Sequence, residues 1–314
     1  MNFNGQAGPL ESVDCDLCGG REKSLLLIKY RKDKIIGIAG YWQIVKCNKC
    51  GLIFVSPRLI PESAANRYER IYFSYYEDNP IDRYQSCAGS FKIIKKYFPP
   101  GFKGRILDVG CGLGYFVEYL QNNGWDARGI EVSKYAADSA ENKGLNVISG
   151  DFLKIEYPLN HFDCITMWDA IEHVPYPMRY VKQAYKLLKP GGMLIIQTPN
   201  IENLTLLLNK NMYPWAPTEH LFYFSIKTLR LLLEKNNYEI IEQKTFGNMN
   251  WIFDRLSEKE QLQDIHRQEA EAMGEAKRSK AVQSLRSLAF RIINKVSALT
   301  KHGEVLLVAA RKIE

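Results

Sequence analysis

The residues Gly104-Arg-Ile-Leu-Asp-Val-Gly-Cys-Gly-Leu-Gly114 set the architecture of this chain. The first half of this segment is a short apolar run, typical of a buried strand, and the second half alternates glycine with other residues. The amphipathic run Tyr115–Leu120 follows and stops at Asn122-Asn-Gly124, a sequence typical of a helix C-terminus. The order is therefore strand, glycine turn and helix. Nucleotide-like ligands bind at such a turn, at the carboxyl edge of a parallel sheet.

The spacing of the glycines separates two kinds of ligand. A dinucleotide fold uses G-x-G-x-x-G, in which backbone N–H groups and a helix N-terminus face a pyrophosphate. Here the spacing is G-x-G-x-G, and the carboxylate of Asp108 stands two residues before the first glycine. An acid there suits a ligand with positive charge, and S-adenosylmethionine (SAM) carries an ammonium and a sulfonium but no phosphate. The residues expected to bind SAM at this turn are Asp108, Gly110, Cys111, Gly112 and Gly114.

Two further segments supply acids that we expect at the same edge. Asp126–Glu131 has the pattern of a second strand. Glu131 lies about 20 residues past the turn, the separation at which an acid reaches the hydroxyls of a ribose. Val147–Phe152 is predicted to be a third strand, which ends in an acid and an aromatic residue. An adenine amine needs a hydrogen-bond acceptor and its ring needs an apolar face, so Asp151 and Phe152 are the candidates for binding adenine.

At this point the chain resembles the class I SAM-dependent methyltransferases, whose glycine loop, ribose acid and adenine-binding acid fall on the residues just described. The resemblance continues through Phe162-Asp-Cys-Ile-Thr-Met-Trp-Asp-Ala-Ile-Glu-His-Val174 and Leu188-Lys-Pro-Gly-Gly-Met-Leu-Ile-Ile196, and it covers residues 101–250 and the last strand. It implies an α/β fold with a Rossmann-like, seven-stranded sheet. The further SAM contacts that it implies are Val132, Trp168 and Asp169. The alternatives are another Rossmann-like enzyme and a core that has lost catalysis.

The composition is that of an ordinary globular protein. The chain has 314 residues, enough for one full α/β domain with additions, of which 46% are hydrophobic and 25% charged. A net charge of +7 permits anionic partners such as nucleotide-sugars, acidic lipid surfaces or RNA, without selecting one. The N-terminus shows no secretory signal, and no apolar run approaches the length of a membrane span. We therefore expect a reducing cytoplasm, in which cysteines are thiols or metal ligands.

Four of the seven cysteines form two C-x-x-C-G knuckles. These four are Cys15, Cys18, Cys47 and Cys50. Two knuckles supply four sulfur ligands, a closed tetrahedral shell for a structural zinc ion that leaves no position for substrate. Free thiols and disulfides are the alternatives. Residues 25–28 and 41–45 have the pattern of strands between the knuckles, so residues 1–60 are predicted to be a zinc ribbon.

The second knuckle runs into Leu52-Ile-Phe-Val-Ser-Pro-Arg58 and then into a tyrosine-rich segment. This arrangement resembles bacterial methyltransferases with an N-terminal zinc-binding domain, which often act on sugars or on sugar-linked and polyketide-like metabolites. Residues 61–100 are predicted to be a helical lead-in or lid, with a helix at residues 90–98 before the first strand of the sheet. The tyrosines either pack between ribbon and core or cover the SAM site. Tyr75 and Tyr76 are the candidates for contacting substrate.

Three residues that follow the fourth and fifth strands are candidates for catalysis. They are His173, Glu219 and His220. His173 is either a catalytic partner or a polar residue that fixes the next helix. His220 lies on a loop from the ligand edge, and an acceptor hydroxyl or carbon needs a base such as histidine. The Glu-His pair resembles that of deoxysugar C-methyltransferases with zinc ribbons. Those enzymes have a tyrosine three residues before the histidine, where this chain has Pro217; a histidine bonded into its own loop is the alternative.

The C-terminal part combines a long insertion with a last strand. Residues 303–314 contain a plain buried strand, and residues 251–302 before it are predicted to be a helical insertion, longer than the usual connection. Residues 277–301 carry seven lysines and arginines and no acid, with apolar residues at helical spacing. A helix packed on the domain is the favoured prediction. The alternative is an interfacial helix on an anionic membrane, which would make the protein peripheral to the inner face of the membrane.

Together these features predict a cytoplasmic SAM-dependent methyltransferase. The expected acceptor is a hydroxyl or carbon of a small metabolite, a sugar or glycolipid-type molecule, with His220 as the base. An RNA methyltransferase is the first rival, but residues 1–60 show no dense basic face and the Asn/Asp-Pro-Pro-aromatic element for base amines is missing, so nucleic acid is not the expected partner. The second rival is a non-enzymatic binding module that uses the ribbon for interactions.

Overall fold

The structure, a computed structural model, describes residues 10–32, 39–60, 80–204, 206, 219–247, 296 and 299–313. The chain forms two compact units. The first unit is made of Met1–Pro199, Pro214–Gln243 and Leu307–Glu314, and the second of Asn200–Tyr213 and Lys244–Leu306.

An all-β N-terminal region is followed by alternating strands and helices. The strands are β1 (Leu10–Glu11), β2 (Lys23–Lys32), β3 (Ala39–Cys47), β4 (Ile53–Val55), β5 (Arg58–Leu59), β6 (Arg105–Val109), β7 (Asp126–Glu131), β8 (Val147–Ser149), β9 (Phe162–Trp168), β10 (Leu188–Pro199), β11 (Phe222–Tyr223), β12 (Tyr238–Phe246) and β13 (Val305–Lys312). The helices are α1 (Pro80–Lys95), α2 (Tyr115–Asn122), α3 (Lys134–Asn142), α4 (Pro177–Leu187) and α5 (Ile226–Glu234). None of these helices combines the length and the apolar character that a membrane crossing requires.

Seven strands form the central sheet, in the order β12-β13-β10-β9-β6-β7-β8. The four pairs β6–β7, β6–β9, β7–β8 and β9–β10 are parallel. Parallel neighbours share one carboxyl edge, so the loops after β6, β7, β8, β9 and β10 open on the same edge of the sheet. The middle strands are buried on both faces, as the apolar runs predict. The predicted α/β fold with a Rossmann-like, seven-stranded sheet is confirmed, with the last strand between β12 and β10.

The helices bury one apolar face each, because their apolar residues recur at helical spacing. In α4 the buried residues include Tyr180, Val181, Ala184 and Leu187. Helix α5 begins at a capping box: the N–H of Thr228 donates to Ser225 Oγ, and the N–H of Ser225 donates to Thr228 Oγ1. This reciprocal pair satisfies two backbone donors at the start of the helix.

The N-terminal region is built from antiparallel strands. β2 pairs with β3, β3 pairs with β4, and β1 pairs with β5. A fourth strand, β11, completes the larger sheet, whose order is β11-β4-β3-β2. Because β11 lies in the chain between β10 and β12, the sheet of the N-terminal region includes residues from the methyltransferase-like part of the sequence. The sequence did not predict this pairing.

Two predicted boundaries were wrong. The helix expected at residues 90–98 begins at Pro80 and ends at Lys95, and residues 96–98 form turns because Pro99 and Pro100 cannot continue a helix. The third strand of the sheet, expected to reach Phe152, ends at Ser149. The cause is local: Asp151 Oδ1 accepts a hydrogen bond from its own neighbour Leu153, which starts a turn instead of extending the ladder.

In the second unit, Asn200 at the start of the first segment is hydrogen-bonded to residues near the end of the second segment. Its Nδ2 donates to Gly303 O at 2.8 Å, and its backbone N–H donates to Glu304 O at 2.7 Å. A Cβ on Gly303 would lie 2.6 Å from the backbone N of Phe246, so only glycine fits there. Most of the predicted insertion, including nearly all of the basic segment 277–301, lies outside the described residues and stays a prediction.

Candidate active site

The glycine turn after β6 brings two strand ends close together. Its three glycines have positive φ angles, 76° at Gly110, 54° at Gly112 and 78° at Gly114, a conformation that favours glycine. The N–H of Gly110 donates to Ile130 O at 2.8 Å. A Cβ on Gly110 would lie 3.0 Å from the Cβ of Ala170, which follows β9. The turn is therefore closely packed, and its backbone is open to a ligand without a side chain in the way.

Cys111, between the first two glycines, turns its side chain toward the sheet. A Cβ on Gly129 in β7 would lie 2.5 Å from Cys111 Sγ, so the glycine leaves room for the thiol. Burial raises the pKa of this thiol well above its usual value, and the carboxylates of Asp108 and Glu131 raise it further. Because the thiol packs against β7, a contact between Cys111 and a ligand would come from its backbone.

Asp108 lies in β6, two residues before the turn, and is almost fully buried. Its Oδ1 accepts a 2.6 Å hydrogen bond from Thr166 Oγ1 in β9. Burial raises the pKa of Asp108 to about 7; the Thr166 hydrogen bond lowers the pKa and the Glu131 carboxylate raises it. A cation beside such an acid would favour its ionised form. A buried acid therefore lies just before the turn, and its contact with a cationic ligand stays a prediction.

Glu131 ends β7 and connects the glycine turn to the next helix. Its Oε2 accepts from the N–H of Gly112 and its Oε1 from the N–H of Ser133, both at 2.9 Å. Burial raises the pKa of Glu131, while these backbone bonds lower it. Ser133 in turn caps α3. The carboxylate oxygens keep further lone pairs that could accept from ribose hydroxyls. The neighbouring Val132 side chain is 49% exposed.

The residues predicted to bind adenine follow β8. Asp151 Oδ1 accepts from the N–H of Leu153 at 2.9 Å and lies 3.4 Å from the hydroxyl of Tyr180. Phe152 is buried, and its ring packs against Tyr180 with centroids 5.4 Å apart. The acid and the aromatic ring are therefore adjacent, as binding of an adenine amine and an adenine ring would require.

Trp168 and Asp169 stand at the carboxyl end of β9. The Trp168 ring meets Phe116 edge to face, with centroids 5.6 Å apart, and its Nε1 is buried with no hydrogen-bond partner among the described residues. Asp169 has a φ of 48°, which is uncommon for a residue other than glycine. Its Oδ2 accepts from Gln197 Nε2 at 3.0 Å, at the end of β10. A strained residue at a strand end fits a functional edge.

The structure brings the two candidate histidines together. The rings of His173 and His220 meet edge to face with centroids 4.7 Å apart. His173 Nδ1 lies 3.1 Å from the backbone O of Glu219. A carbonyl only accepts, so His173 donates through Nδ1 and keeps a lone pair on Nε2. Glu219 therefore enters this cluster through its backbone carbonyl, whereas the prediction rested on its carboxylate.

Glu172, which the sequence reasoning did not select as a site residue, lies beneath the two histidines. Its carboxyl is buried, its Oε2 accepts from Thr198 Oγ1 at 2.9 Å, and its Oε1 lies 3.8 Å from His173 Nε2. One ligand atom each from Glu172, His173 and His220 lie within 4.8 Å of one another. Burial raises the pKa of Glu172 well above its usual value, and the charge of Asp169 raises it further. The sequence reasoning could have selected Glu172 from its position, because it stands beside His173 and shortly after a strand of the sheet.

The four knuckle cysteines converge on one point. The Sγ atoms of Cys15 and Cys50 are 3.5 Å apart, those of Cys18 and Cys47 are also 3.5 Å apart, and all four lie within 4.8 Å of one another. Tetrahedral zinc with Zn–S bonds of about 2.3 Å needs sulfurs roughly 3.8 Å apart. The donor set and its spacing fit a zinc ion.

The candidate substrate residues Tyr75 and Tyr76 lie outside the described residues. Their contact with substrate stays a prediction, and so do the roles of the other predicted site residues.

Comparison with known proteins agrees with this geometry. Residues 81–243 match the family model described as a methyltransferase domain. The chain is 36% identical over 105 residues to a ubiquinone biosynthesis O-methyltransferase of Coxiella burnetii, which covers 31% of this chain and 45% of that protein. It is 38% identical over 106 residues to the protein of the same name in Nitrosococcus oceani, which covers 31% of this chain and 44% of that protein. The chain thus spans about half the length of the curated relatives it matches.

Among solved structures, the chain is similar to a SAM-dependent methyltransferase from Archaeoglobus fulgidus. The TM-score is 0.52 at 21% identity, over 77% of this chain and 99% of that chain. A likeness at this identity shows the fold alone.

Proposed function

This chain belongs to the methyltransferase domain family, and from that premise we propose that it transfers a methyl group from SAM to a hydroxyl or carbon of a small metabolite. The observation that carries the proposal is the buried Asp108 at the glycine turn. An ionised carboxylate at this position attracts a sulfonium or an ammonium and repels a phosphate, and a cation beside it would offset the burial that raises its pKa.

The residues at the carboxyl edge fit SAM piece by piece. Asp108 and the turn would hold the methionine part, Glu131 the ribose, and Asp151 with Phe152 the adenine. The indole Nε1 of Trp168 lacks a partner among the described residues, so its N–H could donate a hydrogen bond to a ligand at the same edge. When bound, SAM supplies a methyl group on a sulfonium, which the acceptor atom takes in an in-line displacement.

His220 is the proposed base. An imidazole nitrogen of His220 would take the proton from the acceptor O–H or C–H, and the imidazolium would later pass it to water. His173, held by the carbonyl of Glu219, packs against His220 and limits the orientations of its ring. Glu172 beneath them can stabilise positive charge on either ring when ionised.

The acceptor is proposed to be a small molecule of the sugar or glycolipid type, not a nucleic acid. The curated relatives are O-methyltransferases by name, which favours oxygen as the methylated atom. A cytoplasmic location, with contact between residues 277–301 and an anionic membrane as an alternative, belongs to the same proposal. We also propose that the four knuckle cysteines hold a structural zinc ion, for which their spacing is suited.

The test is transfer of tritiated methyl from SAM to two panels of acceptors, keto-sugar nucleotides and glycolipids. Labelled product from either panel is expected with the wild-type chain, and none from RNA. His220→Ala should lower kcat by about 10²-fold or more while SAM binding stays unchanged. His161→Ala is the matched control, because His161 precedes β9 at the opposite edge of the sheet. Turnover of His220→Ala within a few-fold of wild type would remove the base role, and no product from either panel would contradict the acceptor class.

A further inference from the structure

His220 lies in a short segment that is hydrogen-bonded on one side to the residues that follow β9. We call residues 219–223 the His220 loop. The N–H groups of Leu221 and Phe222 both donate to the backbone O of Glu172, at 2.8 and 3.1 Å. The loop is therefore tied to the segment that follows β9, the same segment that carries His173.

The ribbon holds the His220 loop from the other side. β11 pairs antiparallel with β4, so that Phe222 faces Phe54. The N–H of Val55 donates to Leu221 O at 2.9 Å. Leu221 directly follows His220, and both of its backbone polar groups are thus hydrogen-bonded. Its N–H donates to the backbone O of Glu172, and its C=O accepts from the N–H of Val55 in the ribbon. A carbonyl and an amide fixed in this way leave the neighbouring residue little freedom in its backbone angles.

Aromatic packing reinforces this pairing. Phe54 and Phe222 are both almost completely buried, and their rings stack with centroids 6.2 Å apart and planes inclined by 29°. Phe224 continues the stack on the other side of Phe222, again at 6.2 Å. Buried aromatic pairs of this kind contribute beyond the burial of their area. The contact therefore fixes the side-chain layer under the His220 loop as well as its backbone.

The cysteine knuckles are linked to these contacts through the chain and through hydrogen bonds. Only Gly51 and Leu52 separate Cys50 from β4. In the first knuckle, Asp16 Oδ2 accepts from the N–H of Met178 at 2.8 Å, in the first turn of α4. Beyond β4, the nearly buried Arg58 donates through Nη1 to Pro175 O at 2.8 Å. The ribbon thus contacts both segments that carry the histidines: residues 172–178 and the His220 loop.

We propose that the zinc ribbon is a positioning element of the active site. Through β4, the ribbon holds His220 in its catalytic position. Phe54 and Val55 are positioning residues in this sense. The role rests on the proposed function of His220 as base, but the fixing of the loop by the ribbon can be measured separately. A ribbon that served only as an independent binding module would need neither the shared strand nor the bond between Val55 and Leu221.

The experiment uses the full chain and variants that leave the cysteines and the histidines intact. Phe54→Ala removes the stack, and Phe54→Leu keeps an apolar side chain in case the alanine variant does not fold. Lys23→Met is the control: Lys23 Nζ bonds to Ser12, Val13 and Ser56, all inside the ribbon. Measurements on each variant are zinc content, SAM affinity by calorimetry, amide hydrogen exchange of Leu221 and Phe222, and the NMR titration of His220.

We expect the Phe54 variants to retain zinc and to bind SAM with an affinity within about twofold of wild type. The amides of Leu221 and Phe222 should exchange at least tenfold faster, and the midpoint of the His220 titration should shift. Lys23→Met should leave both loop readouts unchanged. With an acceptor from the panels, kcat should fall in the Phe54 variants more than KM changes. Wild-type exchange and titration in folded Phe54→Leu and Phe54→Ala would overturn the proposal. If His220→Ala keeps full turnover, only the base role falls, because exchange and titration still report whether the ribbon holds the loop.

Discussion

At the residue scale, the chemistry of Asp108 depends on three strands of the central sheet. β6 carries Asp108, and burial there raises the pKa of its carboxyl most. β9 carries Thr166, whose hydrogen bond lowers this pKa, and β7 carries Glu131, whose carboxylate raises it. The chemistry of the acid is thus a property of the assembled sheet.

This pKa makes SAM binding depend on pH in a defined direction. The pKa of Asp108 in the free protein is raised to about 7, so the carboxyl carries a proton below that pH. A cationic ligand favours the ionised form, so binding releases the proton. The association constant for SAM should therefore fall by up to about tenfold for each pH unit below 7 and level off above it. Calorimetry in buffers of different ionisation enthalpy measures both the affinity and the proton release.

Asp108→Asn is the matched variant for this measurement. It should bind SAM more weakly at pH 8 and lose most of the pH dependence, with a remainder at lower pH from Glu131, whose pKa is also raised. A wild-type affinity that stays constant between about pH 6 and 8 would show that Asp108 does not face the cation.

The two candidate histidines show what the sequence could and could not predict at this scale. The sequence selected His173 and His220 separately, 47 positions apart in the numbering, and left the role of His173 open. The structure places their rings 4.7 Å apart and adds the buried Glu172. A contact over this separation has no local pattern in the sequence, so only the folded sheet could reveal the cluster.

At the element scale, periodic segments were predictable and short ones were not. The apolar runs and the glycine turn gave β6, α2, β7 and β9, because buried strands and amphipathic helices carry their own pattern. β11 has only two residues, Phe222 and Tyr223, and it pairs with a strand near the other end of the chain. Its formation depends on that partner, which the local sequence does not reveal.

The glycine turn offers a prediction that separates backbone strain from close contact. Gly110 and Gly101 have nearly the same φ, 76° and 79°, but a Cβ on Gly110 would lie 3.0 Å from Ala170 whereas Gly101 faces open space. Gly101→Ala should cost about 1 kcal/mol of unfolding free energy and leave SAM binding unchanged. Gly110→Ala should cost about 1–3 kcal/mol and weaken SAM binding at least tenfold.

Denaturant unfolding and calorimetry on both glycine variants test this expectation. Equal SAM affinity in Gly110→Ala and Gly101→Ala would mean that the turn after β6 does not approach the ligand.

At the scale of the whole molecule, the ribbon and the central sheet share structure within one unit. The sequence predicted residues 1–60 as a separate ribbon, a boundary that stays a prediction. It could not predict that the ribbon sheet takes in β11, or that Arg58 reaches Pro175. The cysteine spacing alone was enough to predict that four sulfurs would meet, since each knuckle forms its own turn.

Metal removal should therefore affect more than the N-terminal region. The wild-type chain should contain one zinc ion, and Cys50→Ser should lose it and unfold at a midpoint at least about 4 °C lower. Cys87→Ser is the control, because Cys87 is a buried thiol in α1, away from the knuckles. It should keep the zinc ion. Elemental analysis by mass spectrometry, together with thermal unfolding, measures both quantities, and equal zinc content in the two variants would rule out the four-cysteine site.

Isothermal titration of the purified chain with SAM and, separately, with NAD tests most directly whether the acid-flanked turn takes a methyl donor. We expect saturable one-to-one binding of SAM, competition by S-adenosylhomocysteine, and no heat with NAD. Binding of NAD with no response to SAM would contradict this expectation.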